Sequence, residues 1–85
     1  MQLLFTKSFV RDQAKLPPPM QQRMDKQLAL LLENPRHPSL HLKPMQGREV
    51  IGEIRISGGY RLTLQITEEA YILRRVGSHD VLRQP

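Results

Sequence analysis

The chain has no cysteine. No disulfide can staple it, and no thiolate is available as a nucleophile or metal ligand. That composition fits a reducing cytoplasm. Runs of apolar residues long enough to cross a bilayer, roughly 20 in a row, are also missing. The N-terminal residues alternate apolar with polar and then bring Lys7 and Arg11, the wrong order for a signal peptide. A cytoplasmic location away from any membrane is therefore expected. The three histidines give no zinc pattern. His37 and His41 flank Pro38, which disfavours a helix presenting both to one metal. Neither a metal nor a cofactor is expected. There are no internal repeats, no linkers and no low-complexity segments.

What is present is small and basic. Eighty-five residues make one domain spanning residues 1–85, which buries about 60% of its unfolded surface and so has a thin core. A partner that covers apolar surface would help such a chain. The net charge is +5 and the pI about 10.3. Nucleic acid is the leading partner class, and an acidic protein surface the second. The cations are spread along the chain, so any binding footprint must be assembled by the fold.

Residues 2–6 read as a short strand. Thr6 can cap a helix from Lys7 to Leu16, with Phe9, Val10 and Ala14 as its buried stripe. Three prolines, 17 to 19, break that helix and open the next, since a proline in the first turn loses only an orphan N–H. The second helix is expected from Pro18 to Glu33, burying Met20, Met24, Leu28, Leu31 and Leu32. Asn34-Pro35 ends it. A proline-punctuated loop follows over 35–48, carrying Arg36, His37, His41, Lys43 and Arg48. It is either a plain connection or a basic rim beside a site. Antiparallel strands are expected at 49–56, 60–66 and 71–76, joined by Ser57-Gly58-Gly59, whose glycines can take positive φ, and by a turn at Thr67 to Ala70. The fold class is α+β in the order β-α-α-β-β-β. Two amphipathic helices lie on one face of a small antiparallel sheet, and the other face is open.

Alternation along the hairpin places Glu53, Arg55 and Arg61 on that open face, away from Val50, Ile54 and Ile56. A third strand delivers His79 just past its end. A carboxylate, two guanidiniums and an imidazole on one sheet face suit acid–base work on a phosphodiester. An exposed sheet face also collects charges simply because it is solvated.

Several pieces together resemble the RelE/ParE superfamily of bacterial toxin–antitoxin toxins. They are the hairpin Ile54-Arg55-Ile56-Ser57-Gly58-Gly59-Tyr60-Arg61-Leu62, the strand end Val76-Gly77-Ser78-His79-Asp80, and a connector. The connector runs through Leu32-Glu33-Asn34-Pro35, Ser39-Leu40 and Leu42-Lys43-Pro44-Met45-Gln46-Gly47. The resemblance covers nearly the whole chain. It implies a toxin of a type II pair, with a cognate acidic antitoxin through which alone it would oligomerise. In the RelE-like branch it implies a metal-independent mRNA endonuclease acting on the ribosome. The RNA 2′-OH attacks the adjacent phosphate, the 5′-oxygen leaves, and a 2′,3′-cyclic phosphate remains. Arg61 matches a phosphate-binding arginine and Arg55 a basic strand position. Glu53 is then the base, as in some relatives, where others have lysine. His79 is the acid, its unperturbed pKa of about 6.5 suiting proton donation near neutrality. Lys43, Arg48 and Arg75 are expected to hold RNA, with Arg74 an alternative to Arg75. Asp80 either orients His79 or caps a turn. The tyrosine or histidine that often follows in the family is absent from the tail Val81-Leu82-Arg83-Gln84-Pro85. Two other readings stay open: a ParE-like inhibitor of DNA gyrase, and a degraded member that only binds.

Overall fold

The computed structural model describes residues 1–45 and 48–85, the side chains of residues 48 and 49 excepted. The elements are β1 (Gln2–Phe5), α1 (Lys7–Ala14), α2 (Pro18–Glu33), a 3-10 helix (Pro38–Leu40), β2 (Lys43–Met45), β3 (Arg48–Ser57), β4 (Tyr60–Ile66), β5 (Ala70–Ser78) and a second 3-10 helix (His79–Leu82). One sheet holds the strands in the order β1-β5-β4-β3-β2. The α+β order is as expected, with two differences. The sheet is mixed, because β1 joins β5 in parallel. A further strand, β2, lies within the segment read as loop and pairs with β3. Pro44 belongs to β2, which is possible because an edge strand has no second neighbour waiting for its missing N–H.

Thr6 fixes the first corner. Its hydroxyl oxygen accepts from Phe9 N–H at 3.1 Å, capping α1 as expected. The same hydroxyl donates to Leu73 O at 2.9 Å. One side chain therefore ends β1, starts α1 and ties both to β5. The helix is shorter than its pattern promised, and only Phe9 of the expected stripe is buried. Val10 is 52% exposed, and Ala14 is exposed as well. Eight residues present one narrow face, and the chain after α1 supplies buried Leu16 instead. Helix α2 has the expected bounds, with prolines in its first turn. Met24, Leu28 and Leu31 are buried as expected, but Leu32 is 44% exposed.

A polar residue joins the buried face instead. Gln27 is buried, and its amide nitrogen donates to Arg55 O at 2.8 Å and to Ser39 O at 3.1 Å. It joins α2 to β3 and to the connector in one group. Around it Met24, Leu28, Leu31 and Leu40 meet Ile54, Ile56, Leu62, Leu64, Leu73 and Val76 from the sheet.

The second sheet face is less open than alternation suggests. Thr63 points away from its core neighbours Leu62 and Leu64, yet it is buried, and its hydroxyl donates to Pro85 O at 3.1 Å. The residues after β5 thus return across β4 and β5 on the side opposite the helices. Val81 lies so close that a Cβ at Gly77 would sit 3.0 Å from its Cγ1. Leu82 is half-buried beside it. The β2–β3 side of that face remains accessible. Arg55 and Arg61 both stay partly exposed.

Replacing Gln27 by alanine leaves two carbonyls without their donor. The variant should lose about 2 kcal/mol of unfolding free energy. Urea titration followed by circular dichroism checks this, and an unchanged midpoint would show that the amide bonds contribute nothing net.

Candidate functional site

Arg55 and Arg61 are direct cross-strand partners on β3 and β4. Like charges placed opposite one another repel, and each guanidinium is drawn to a different acceptor. Arg61 Nη1 donates to Ser57 O at 2.7 Å, Tyr60 O at 2.9 Å and Gly58 O at 3.3 Å. It clamps the carbonyls of the hairpin turn. Neither Gly58 nor Gly59 takes the left-handed φ expected of them. The register instead shifts between Arg55 and Ser57, and the arginine holds the resulting turn. Arg55 Nη1 lies 3.3 Å from His41 Nε2. His41 itself has φ of 49°, the one positive φ among the described non-glycine residues.

Glu53 sits one alternation away on β3, opposite Lys43 of β2. Its Oε1 is 3.2 Å from Lys43 Nζ. Glu53 is 7% exposed, so the lysine lies against a buried carboxyl group. Gly52 makes this approach possible, because a Cβ there would stand 3.2 Å from Lys43 O. His41, Lys43, Glu53, Arg55 and Arg61, with Ile54, line a pocket of about 170 Å³.

The structure brings together Glu53, Arg55, Arg61 and Lys43 among the residues singled out from the sequence. His79 is not with them. It opens the second 3-10 helix, exposed, and does not line the pocket. The imidazole that does is His41, which the sequence placed in a loop read as either a plain connection or a basic rim. Its signal was the pairing of Lys43 with Glu53, visible only once β2 is recognised. Arg75 is engaged elsewhere: its Nε donates to Asp12 Oδ2 at 2.6 Å and its Nη2 to Asp12 Oδ1 at 3.3 Å. The hydrogen bond it donates to Asp12 raises the Arg75 pKa above its ordinary value; burial opposes this and the carboxylate's charge adds to it. Arg75 is thus a fixed cation and no proton donor. Arg74 falls at the bulge where Thr63 pairs with Arg75 and Leu64 with Leu73, and its Nε donates to Pro85 O at 3.0 Å. Asp80 lies in the first turn of the second 3-10 helix, where its backbone oxygen accepts from Arg83 N–H. The Arg48 side chain, with Gln46 and Gly47 of the connector, lies outside the described residues.

The sequence matches the family model for the ParE toxin of type II toxin–antitoxin systems, parDE, over residues 3–82. The chain belongs to this family. As a ParE-family toxin it sits within the RelE/ParE superfamily expected from its hairpin and connector. Its fold is similar to RelE in the intact E. coli RelBE toxin–antitoxin complex, with TM-score 0.72, 26% identity, and coverage of 89% of this chain and 93% of that one. The RelB–RelE antitoxin–toxin complex from Methanococcus jannaschii gives TM-score 0.73 and 25% identity over 95% of both chains. A YoeB/ParE toxin from Agrobacterium tumefaciens gives TM-score 0.79 over 93% of this chain and 99% of that one. At 15% identity it bears on the fold alone. No curated protein sequence matches the chain. Among the described residues no helix of this toxin is long and apolar enough to cross a membrane.

Because Arg61 clamps the turn, its truncation touches the fold as well as the pocket. Arg61→Ala should lose about 1–2 kcal/mol of stability and remain folded. A denaturant midpoint equal to wild type would show that the clamp is idle.

Proposed function

We propose that this toxin is an endonuclease that cuts mRNA on the ribosome and is neutralised by an acidic antitoxin. The observation that carries the reading is the pocket itself, where a buried carboxylate, an imidazole and two guanidiniums line one small space. The neighbouring RelE folds occur in antitoxin complexes, which supports a protein partner, and the charge of +5 suits an acidic one. Cleavage needs only the RNA's own 2′-OH. Glu53 accepts the 2′ proton through the carboxylate oxygen not held by Lys43. The 2′-oxygen attacks phosphorus, and Arg55 and Arg61 stabilise the phosphorane with donors not used in the turn. The P–O5′ bond breaks, the 5′-oxygen takes a proton from His41 in its charged form, and a 2′,3′-cyclic phosphate is left. An arriving phosphate competes with His41 Nε2 for Arg55, which frees the imidazole for this step.

A second reading is inhibition of DNA gyrase by binding alone. It draws support from how fully the charges satisfy one another, Glu53 with Lys43 and Arg61 with the turn. The two readings make opposite demands on the pocket.

Glu53→Gln and His41→Gln should each slow cleavage of ribosome-bound mRNA about 10²–10⁴-fold, the range for general acid–base groups. His79→Gln should leave the rate within a few-fold of wild type. Primer extension reads the cut, with a supercoiling assay in parallel. Loss of cleavage in His79→Gln but not His41→Gln would return the acid role to His79. Inhibited supercoiling with intact mRNA would establish the second reading.

A further inference from the structure

A second concavity of about 700 Å³ lies on the α2 side of β3, lined in part by Arg23, Lys26, Leu30, His37 and Arg55. Arg55 lines both this groove and the small pocket. Arg23 and Lys26 stand one turn apart on α2, so their side chains share a face. Both are exposed. Among the described residues only two ion pairs form, Lys43–Glu53 and Arg75–Asp12, so neither cation has a carboxylate partner. His37 Nδ1 accepts from Ser39 N–H at 3.1 Å and lies 2.9 Å from Ser39 Oγ. That leaves the ring proton on Nε2, and the imidazole is a donor toward the groove. Among the described residues no Asp or Glu lines it. The groove therefore offers hydrogen-bond donors and positive charge, with the half-buried Leu30 as its apolar patch.

We infer that this groove is a second binding site for single-stranded RNA, taking the phosphates that flank the one in the pocket, with Arg55 as the shared boundary. The inference rests on the endonuclease reading for the strand's destination. The groove's own chemistry supplies the occupant. Repeated anions suit repeated donors, and with no Phe, Tyr or Trp among its described lining residues the groove reads backbone more than sequence. An antitoxin segment that folds as it binds needs apolar surface to bury. That surface is elsewhere: Leu4, Phe5 and Val10 are exposed, the last two beside Lys7 and Arg11.

The test uses a short fluorescein-labelled RNA strand with 2′-O-methyl groups, which binds without being cut. Its affinity is measured by anisotropy across a salt series for wild type, Arg23→Ala/Lys26→Ala, and the charge-matched Lys7→Ala/Arg11→Ala. Each lost phosphate contact on a single strand lowers the slope of log K against log salt by about 0.7, so the groove variant should lose about 1.4. The Lys7/Arg11 variant should keep the wild-type slope. Equal slopes for wild type and the groove variant overturn the inference, as do equal losses in both variants. If the groove variant keeps RNA affinity but weakens binding of the antitoxin, the groove belongs to the protein partner. Slope loss in the groove variant, with no mRNA cleavage by wild type, leaves this site standing and removes the endonuclease.

Discussion

Two guanidiniums face each other across β3 and β4, and much of the accessible surface follows from how that repulsion is relieved. Arg61 turns toward the hairpin and satisfies three carbonyls. Arg55 turns the other way and meets His41. The backbone beneath them is held by α2, because Gln27 donates to the carbonyl of Arg55. The same short stretch of β3 thus faces the core through Ile54 and Ile56, the small pocket through Glu53, and the basic groove through Arg55. A shift of one residue in the hairpin would exchange these faces.

The other organising device is the return of the chain end over β4 and β5. It buries Thr63 and receives the Arg74 guanidinium on Pro85 O. In a chain with so thin a core, covering the second sheet face adds burial that two short helices cannot supply. It also shapes where function can lie, since it covers β4 and β5 but leaves the β2–β3 side open.

Much of this was legible in the sequence where one physical signal acted alone. Thr6 announced a cap, the three prolines announced the start of α2, and alternation placed Glu53, Arg55 and Arg61 on one side. The departures share a cause, which is that tertiary neighbours, and not the local pattern, decide them. Leu32 fits the periodic stripe of α2 but is exposed, while Gln27 on the other side of that stripe is buried because it has two carbonyls to satisfy. Arg75 looks like a free cation until Asp12, far away in sequence, is brought beside it. Pro44 looks like loop punctuation because a single sequence does not say that a strand will be at the edge. His79 lies near the expected strand end, but the chain turns into a 3-10 helix there and carries the imidazole away. His41 was hidden inside the connector because nothing local marks a residue whose importance comes from the strand opposite it.

The left-handed backbone at His41 has a consequence for how such a sequence can drift. A histidine at φ of 49° bears about 1–2 kcal/mol of steric strain relative to the right-handed region. Glycine would relieve it, but would give back roughly 0.5–1 kcal/mol through the greater freedom of the unfolded chain. The strain is the larger of the two, so folding alone leaves glycine at residue 41 neutral to favoured. Selection for a side chain there would have to come through its place in the pocket, beside Arg55. A lineage released from that demand could lose the imidazole in one step and keep a well-folded protein.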